Sequence, residues 1–558
     1  MKTTKFLPML AFAAVACAQR GGGPPLTSLK AVPVPAVPGL EQYVRDEAAL
    51  VVLGKALFWD MQAGSDGKTA CASCHFHAGA DHRVQNQLAP PHASTAGITP
   101  NRTLTAADFP FHRPGTLDAP REVAGSAGTF QRSFFDVVTG AAEVDGADLQ
   151  VTSRNTPSVI NAVFNVRNFW DGRASNIFNG VTPSGDADTT ASVLAWRDGH
   201  LLTERVRLEN SSLASQAVGP VLNEIEMSYT GRNFAKVAEK LLTLRPLGRQ
   251  AVSAEDSVLG AYADASGIGL AAEYSYRQLI EAAFEPAYWA APEGNQMTAN
   301  FSLFWGLAIQ AYEATLISND SRLDQFLEGN TQALTTLEQQ GMREFLGGAS
   351  QCTQCHQGTE FTAASFSNTR RPGFNPANPR DAGFFRTAVT PIEDDPGFGN
   401  GAFKSPGLRN VEFTGPYFHD GGQATLEQVM DFYARNGDFR AGGNLGPGIG
   451  QIRLNPQDRT AIVAFMKALT DDRVRHQRAP FDHPSLCIPT GHEEAAEGVL
   501  AADTTDGRFA SSAIDRWALI PAVGKDGDVA PLQTFDELLR GIGNDGSRAH
   551  NLTQACAP

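Results

Sequence analysis

Cys71-Ala72-Ser73-Cys74-His75 and Cys352-Thr353-Gln354-Cys355-His356 repeat one pattern, C-x-x-C-H. Two thiols one helical turn apart can add to the two vinyl groups of a haem as thioethers, and the adjacent imidazole can then ligate the iron. Covalent attachment lets a chain hold a large apolar macrocycle with little core around it. Two copies therefore imply two haem c groups, with Cys71, Cys74 and His75 on one and Cys352, Cys355 and His356 on the other. A redox C-x-x-C needs no following histidine and belongs beside a βαβ pattern, which the sequence lacks. A four-cysteine zinc site would have to join pairs about 280 residues apart, whereas zinc ligands cluster in sequence.

Helical stretches must position these motifs. Leu53-Gly54-Lys55-Ala56-Leu57-Phe58-Trp59-Asp60 leads into the first, and Thr336 to Gly347 delivers the chain to the second. Phe301 to Ile317 carries apolar residues at intervals of three and four, and Pro456 to Leu469 reads as a capped closing helix. Strand signals are sparse. Residues 78–151 are rich in Pro, Gly, Thr and His with poor periodicity and read as a long irregular insertion, and 186–212 reads as a second irregular piece. The expected fold is mostly α, with two cytochrome c-like haem domains, long irregular insertions and a C-terminal extension. The expected division is a signal peptide over 1–18, a Pro- and Gly-rich linker over 19–38, haem domains over 39–298 and 299–475, and an extension over 476–558.

A chain of 558 residues with 42% hydrophobic and 19% charged residues is long enough for two or three domains with sizeable cores. Its formal net charge of −15 disfavours nucleic acid or an anionic membrane surface as partner. Lys2 and Lys5, the apolar run through Ala16 and the small residues Ala16-Cys17-Ala18 form an export signal, which implies a periplasmic address. The pattern favours simple cleavage. Cys17 also resembles an acylated lipoprotein cysteine, the one route by which this chain would be held at a membrane. Removing Cys17 and the four haem cysteines from seven leaves Cys487 and Cys556, a pair suited to a disulfide in that compartment.

Several stretches together resemble the bacterial di-haem cytochrome c peroxidase family, including its MauG-like branch. They are Cys71 to His75, Arg154 to Arg173, Gly219 to Met227, Cys352 to His356 and Phe403 to Tyr433, within residues 40–475. The resemblance implies a peroxide site at the first haem and an electron relay at the second. It implies that Glu226 is the distal carboxylate, Gln216 a second distal residue and Trp170 the tryptophan between the haems. It also implies a calcium ion at the junction, held by oxygens of Asn155, Thr414 and Pro416. Glu226 lies between apolar Ile225 and Met227, which suits a buried carboxyl able to take and return a proton. Taken alone, it reads equally as a surface carboxylate, and Trp170 as a core aromatic.

The peroxidase branch carries a methionine fourteen residues after a His-Asp-Gly histidine; here that count from His419 reaches Tyr433, as in the MauG-like branch. A tyrosine ligand favours the higher oxidation states of iron. Leu426, Val429, Met430 and Tyr433 also form one helical stripe, so Met430 is a rival ligand and plain core packing a third reading. No distal histidine is evident at the first haem: His77, His82, His92 and His112 are expected to face solvent.

The expected activity is reduction of hydrogen peroxide with electrons from a small cytochrome, a copper protein or a protein substrate. Long-range oxidation of a protein substrate, a di-haem oxygenase and a plain electron-transfer cytochrome are the alternatives.

Overall fold

The computed structural model describes residues 26–85, 88–89, 103–112, 122–130, 133–135, 142–145, 149–292, 294–369, 375, 378–441, 443, 445–492 and 515–541. The export signal with Cys17, and also His92 and Cys556, lie outside the described residues. Cys487 is disulfide-bonded.

Two closely packed helix pairs set the frame, and the two are built alike. In the first, Glu47–Trp59 packs on Phe301–Glu313. A Cβ on Gly54 would lie 1.8 Å from the carbonyl oxygen of Ala308, so only glycine lets these backbones approach so closely. In the second, Thr336–Leu346 packs on Pro456–Lys467, and a Cβ on Gly341 would lie 1.8 Å from the carbonyl oxygen of Ala461. Each pair closes over its own core, with Leu53, Leu57, Phe304 and Ile309 in one and Phe345, Phe361, Ile462 and Phe465 in the other. In each unit a C-x-x-C-H motif follows the first helix of the pair.

Local sequence explains the boundaries. Asp46 accepts from the backbone N–H groups of Ala48 and Ala49 and starts the first helix. Thr335 with Glu338, and Asn455 with Asp458, close reciprocal capping boxes, and Pro456 occupies the first helical position of Pro456–Lys467.

Phe301–Glu313 buries its apolar residues in the first core, although it follows the expected division after residue 298. Its apolar residues are matched to those of Glu47–Trp59, which sequence distance conceals. Residues 186–212 are not irregular throughout: Val193–Arg197 pairs antiparallel with His200–Glu204. Asp198 and Gly199 turn the hairpin at φ of 50° and 81°. The Pro-rich linker is packed from Leu26 onward. Leu26 and Leu29 are buried, and Leu29 N donates to Asp324 Oδ1 at 2.9 Å. Lastly, His77, His82 and His112 do not face solvent; they are 1%, 0% and 3% exposed.

The described parts of the first insertion form short two-stranded ladders, Leu88–Ala89 with Val123–Ala124 and Ala127–Phe130 with Leu149–Val151. The second ladder lies on the loop that carries Glu226. A Cβ on Gly128 would meet the Ile225 carbonyl oxygen at 1.8 Å, and Thr129 Oγ1 donates to the carbonyls of Ser228 (3.1 Å) and Glu224 (3.3 Å).

The C-terminal extension folds back onto the first unit. Asp482 accepts from Ser257, His483 stacks on Trp59, and the hairpin Leu486–His492 with Asp515–Ile520 buries Leu486 and Ile488 in the first core. Among the described residues no helix is long and apolar enough to cross a membrane.

Candidate functional site

The first pentapeptide opens onto a cavity of about 440 Å³. Ala72–His75 forms a single helical turn, with Ser73 Oγ accepting from Ala70 N at 3.0 Å. His75 Nδ1 lies 2.7 Å from the carbonyl oxygen of Gly79. A carbonyl only accepts, so Nδ1 carries the proton and Nε2 keeps its lone pair for a metal. Burial lowers the imidazole's pKa and keeps it neutral.

Glu226, Gln216 and Trp170 line this same cavity. Asn223 Oδ1 accepts from the backbone N–H of Ile225 at 2.8 Å and of Glu226 at 3.3 Å, which fixes the turn presenting the carboxyl. Burial raises the Glu226 pKa, and the Arg173 guanidinium pulls it back down. Arg173 is itself held over the Phe169 ring, 3.7 Å from its centroid. Sequence reasoning passed over Glu313, which also lines the cavity, is 5% exposed, and has its carboxyl pushed up to about 8 by burial alone. A single glutamate at the end of an apolar helix carries no signal that separates it from a surface residue.

A second cavity, of about 190 Å³, is lined by Cys352, Cys355, His356, Met430, Tyr433 and Lys404 among others. His356 Nδ1 points at the carbonyl oxygens of Phe361 (3.0 Å) and Pro406 (3.1 Å), so it too offers Nε2. Met430 and Tyr433, one turn apart on Leu426–Ala434, both reach this cavity, so the two rival ligands stay in play. Burial raises the Tyr433 phenol above its ordinary range.

The donor sets fit haem and not the other cysteine chemistries. Burial pushes Cys74 and Cys355 up to about 12 and Cys352 to about 11, the reverse of the depressed thiol a redox pair requires. The two cysteine pairs open onto different cavities and so build no shared zinc site. Lys404 is 6% exposed, its Nζ lies 3.3 Å from Asn168 Oδ1, and burial lowers it to about 8. A cation facing the cavity with only an amide oxygen for company suits a haem propionate.

Trp170 and Asn155 border both cavities. The Trp170 carbonyl accepts from Lys404 N at 2.8 Å, and its ring meets that of His419 edge-on at 6.2 Å. Arg154 holds the two units together here, bonding Asp395 through Nε and Nη2 at 2.7 Å each and Asp171 through Nη1 at 2.6 Å. Asn155, Thr414 and Pro416 all line the second cavity, and each brings a neutral oxygen.

The family model for di-haem cytochrome c peroxidases matches residues 48–332, just over half of the chain. The protein belongs to that family. Membership implies two haem c groups. The matched stretch ends before Cys352, so the second site rests on its own residues and geometry.

Among curated relatives, the cytochrome c551 peroxidase of Nitrosomonas europaea is 28% identical over 57% of this chain and 66% of its own length. That of Pseudomonas aeruginosa is 28% identical over 59% of this chain and 68% of its own. The methylamine utilization protein MauG of Methylorubrum extorquens is 30% identical over 29% of this chain and 42% of its own. The chain thus spans about two thirds of the length of the first two relatives. A solved MauG-like protein associated with microbial copper homeostasis is 22% identical, with 81% of this chain and 96% of that one aligned at a TM-score of 0.47.

Proposed function

We propose that this family member is an exported di-haem c-type peroxidase that reduces hydrogen peroxide above His75, with electrons entering at the second haem. The observation that carries the reading is the placement of Glu226 and Gln216 in the first cavity while Trp170 borders both. Bound haem supplies a Lewis-acidic, redox-active iron on the Nε2 side of His75 and of His356.

The overall reaction, H₂O₂ + 2H⁺ + 2e⁻ → 2H₂O, needs a group that takes a proton from one peroxide oxygen and delivers it to the other. Glu226 is that group: it lines the same cavity, and burial raises its carboxyl above the ordinary carboxylate value, which favours its taking a proton and returning it. Gln216 orients peroxide beside it. Trp170 carries electrons from the second cavity to the first, and Arg154 holds the units in register through Asp395 and Asp171. In this reading Tyr433, with His356, would hold the second haem, and Asn155, Thr414 and Pro416 would hold calcium at the junction through neutral oxygens. The division into a peroxidatic and a relay haem domain, with Phe301–Glu313 assigned to the former, is part of the same proposal. The external donor is a small cytochrome or copper protein, which a net charge of −15 would steer if the donor is basic.

A second reading is favoured by Tyr433, namely MauG-like oxidation of a protein substrate at a distance. Steady-state turnover of peroxide with a reduced small cytochrome tests between them. Rapid donor oxidation supports the peroxidase; reaction with peroxide but no donor turnover supports the second reading; no reaction with peroxide removes both.

A further inference from the structure

Behind His75, on residues the peroxidase reading does not use, lies a connected group of buried aromatic rings. The Phe58 ring is 6.2 Å from that of His75 and 5.4 Å from that of Tyr312. Trp59 Nε1 donates to the Tyr312 hydroxyl oxygen at 2.9 Å. The indole face is covered by His483, stacked at 4.5 Å with 9° between planes. Trp59, Tyr312 and His483 are 4%, 2% and 2% exposed.

Beside them is a charge cluster that packing alone does not require. Lys55 Nζ lies 2.7 Å from Asp256 Oδ1 and 3.6 Å from Asp482 Oδ2, and all three side chains are fully buried. One cation against two carboxylates leaves a net negative charge inside the first core, close enough to bear on the Tyr312 phenol and on His483. A buried ion cluster is a poor source of stability, since its desolvation offsets its attraction. Phe or Leu would fill the same space. A net negative field is, however, what lowers the energy of a positive charge formed on a neighbouring ring.

We propose that Trp59, hydrogen-bonded to Tyr312, is a second oxidisable site that yields an electron towards the first haem when peroxide arrives without a donor. The inference rests on the peroxidase reading, with hydrogen peroxide as the oxidant. Peroxide takes up two electrons as its O–O bond breaks: one leaves the indole π system, and the other would come from the first haem's iron. The N–H keeps its proton in the bond to Tyr312, no bond of the indole breaks, and the resulting cation is balanced by the excess carboxylate of Asp256 and Asp482. An external donor later returns both electrons. Phe58 fills the gap towards His75, and His483, from the C-terminal extension, shields the oxidised ring from water.

The test uses the full holoprotein, frozen rapidly after one equivalent of hydrogen peroxide without donor and examined by EPR, with the Soret band read on the same samples. The expected result is an organic radical signal that narrows in protein grown on ring-deuterated tryptophan, is lost in Trp59→Phe and persists in Trp170→Phe. Tyr312→Phe should shift its hyperfine pattern by removing the hydrogen-bond acceptor. A signal that survives Trp59→Phe, is insensitive to the label, or is absent while the Soret band responds overturns the inference and leaves the peroxidase reading standing. An unresponsive Soret band removes both. The label arm needs no substitution, so a poorly folding variant does not decide the outcome.

Discussion

The indole N–H of Trp170 donates to the carbonyl oxygen of Asn155 at 2.8 Å, and both residues border both cavities. Asn155 N in turn donates to the carbonyl of His419 at 2.8 Å, so the ring is fixed to backbone from each unit. In the proposed relay role, a ring held this way would change its surroundings little on gaining or losing an electron.

Trp170→Phe keeps an aromatic ring, of smaller volume, but removes the N–H bond and the readily oxidised indole. Both haem spectra should persist while donor-supported peroxide turnover falls sharply. Stopped-flow mixing of the half-reduced protein with peroxide checks this, because reoxidation of the second haem should slow and binding at the first should not.

Glu226→Gln removes the proposed proton carrier with little change of shape. The rate of reaction with peroxide should fall by about 10²–10⁴-fold at unchanged haem content. In the native protein the carboxylate form is the base, so the rate should fall as pH drops through the raised Glu226 pKa. Arg173 opposes that rise, so Arg173→Gln should move the acid limb to higher pH. The pH profile of kcat/KM for peroxide reads both effects.

Tyr433→Phe should alter the low-spin ferric signal of the second haem if the phenolate oxygen is a ligand, and Met430→Leu should not. Both side chains reach the cavity, so the reverse pattern would hand the position to Met430.

Gly54→Ala and Gly341→Ala each force a Cβ against a carbonyl oxygen of the opposing helix, at 1.8 Å in both cases before any shift. Each should cost about 1–3 kcal/mol through overpacking. Thermal unfolding should show a lowered Tm for either variant, with the loss localised to the corresponding unit by hydrogen exchange.

The two attachment motifs and the four framing helices were legible because both depend on local spacing. The segment from Gly219 to Met227 was legible as a pattern, and Asn223 explains it, since its side chain caps the turn that presents Glu226. The hairpin across Asp198-Gly199 carried its own signal, an Asp-Gly pair between two strands, which the polar composition around it obscured. The burial of His77 and His82, whose rings stack at 3.5 Å, was not legible. Polar rings go inside only where distant segments cover them. For the same reason the seat of the extension on Trp59 and the roles of Lys404 and Glu313 could not be read. Each is a lone residue whose meaning comes from contacts more than 100 residues away or from a cavity wall.

Peroxidase chemistry in this protein requires two covalently attached haems of which the first is open to peroxide. The most direct measurement is the visible and EPR spectrum of the ferric holoprotein before and after one equivalent of hydrogen peroxide. The expected result is two thioether-linked haems per chain, one of them high-spin and lost on addition of peroxide. Fewer than two attached haems, or two low-spin irons whose spectra do not change, would contradict it.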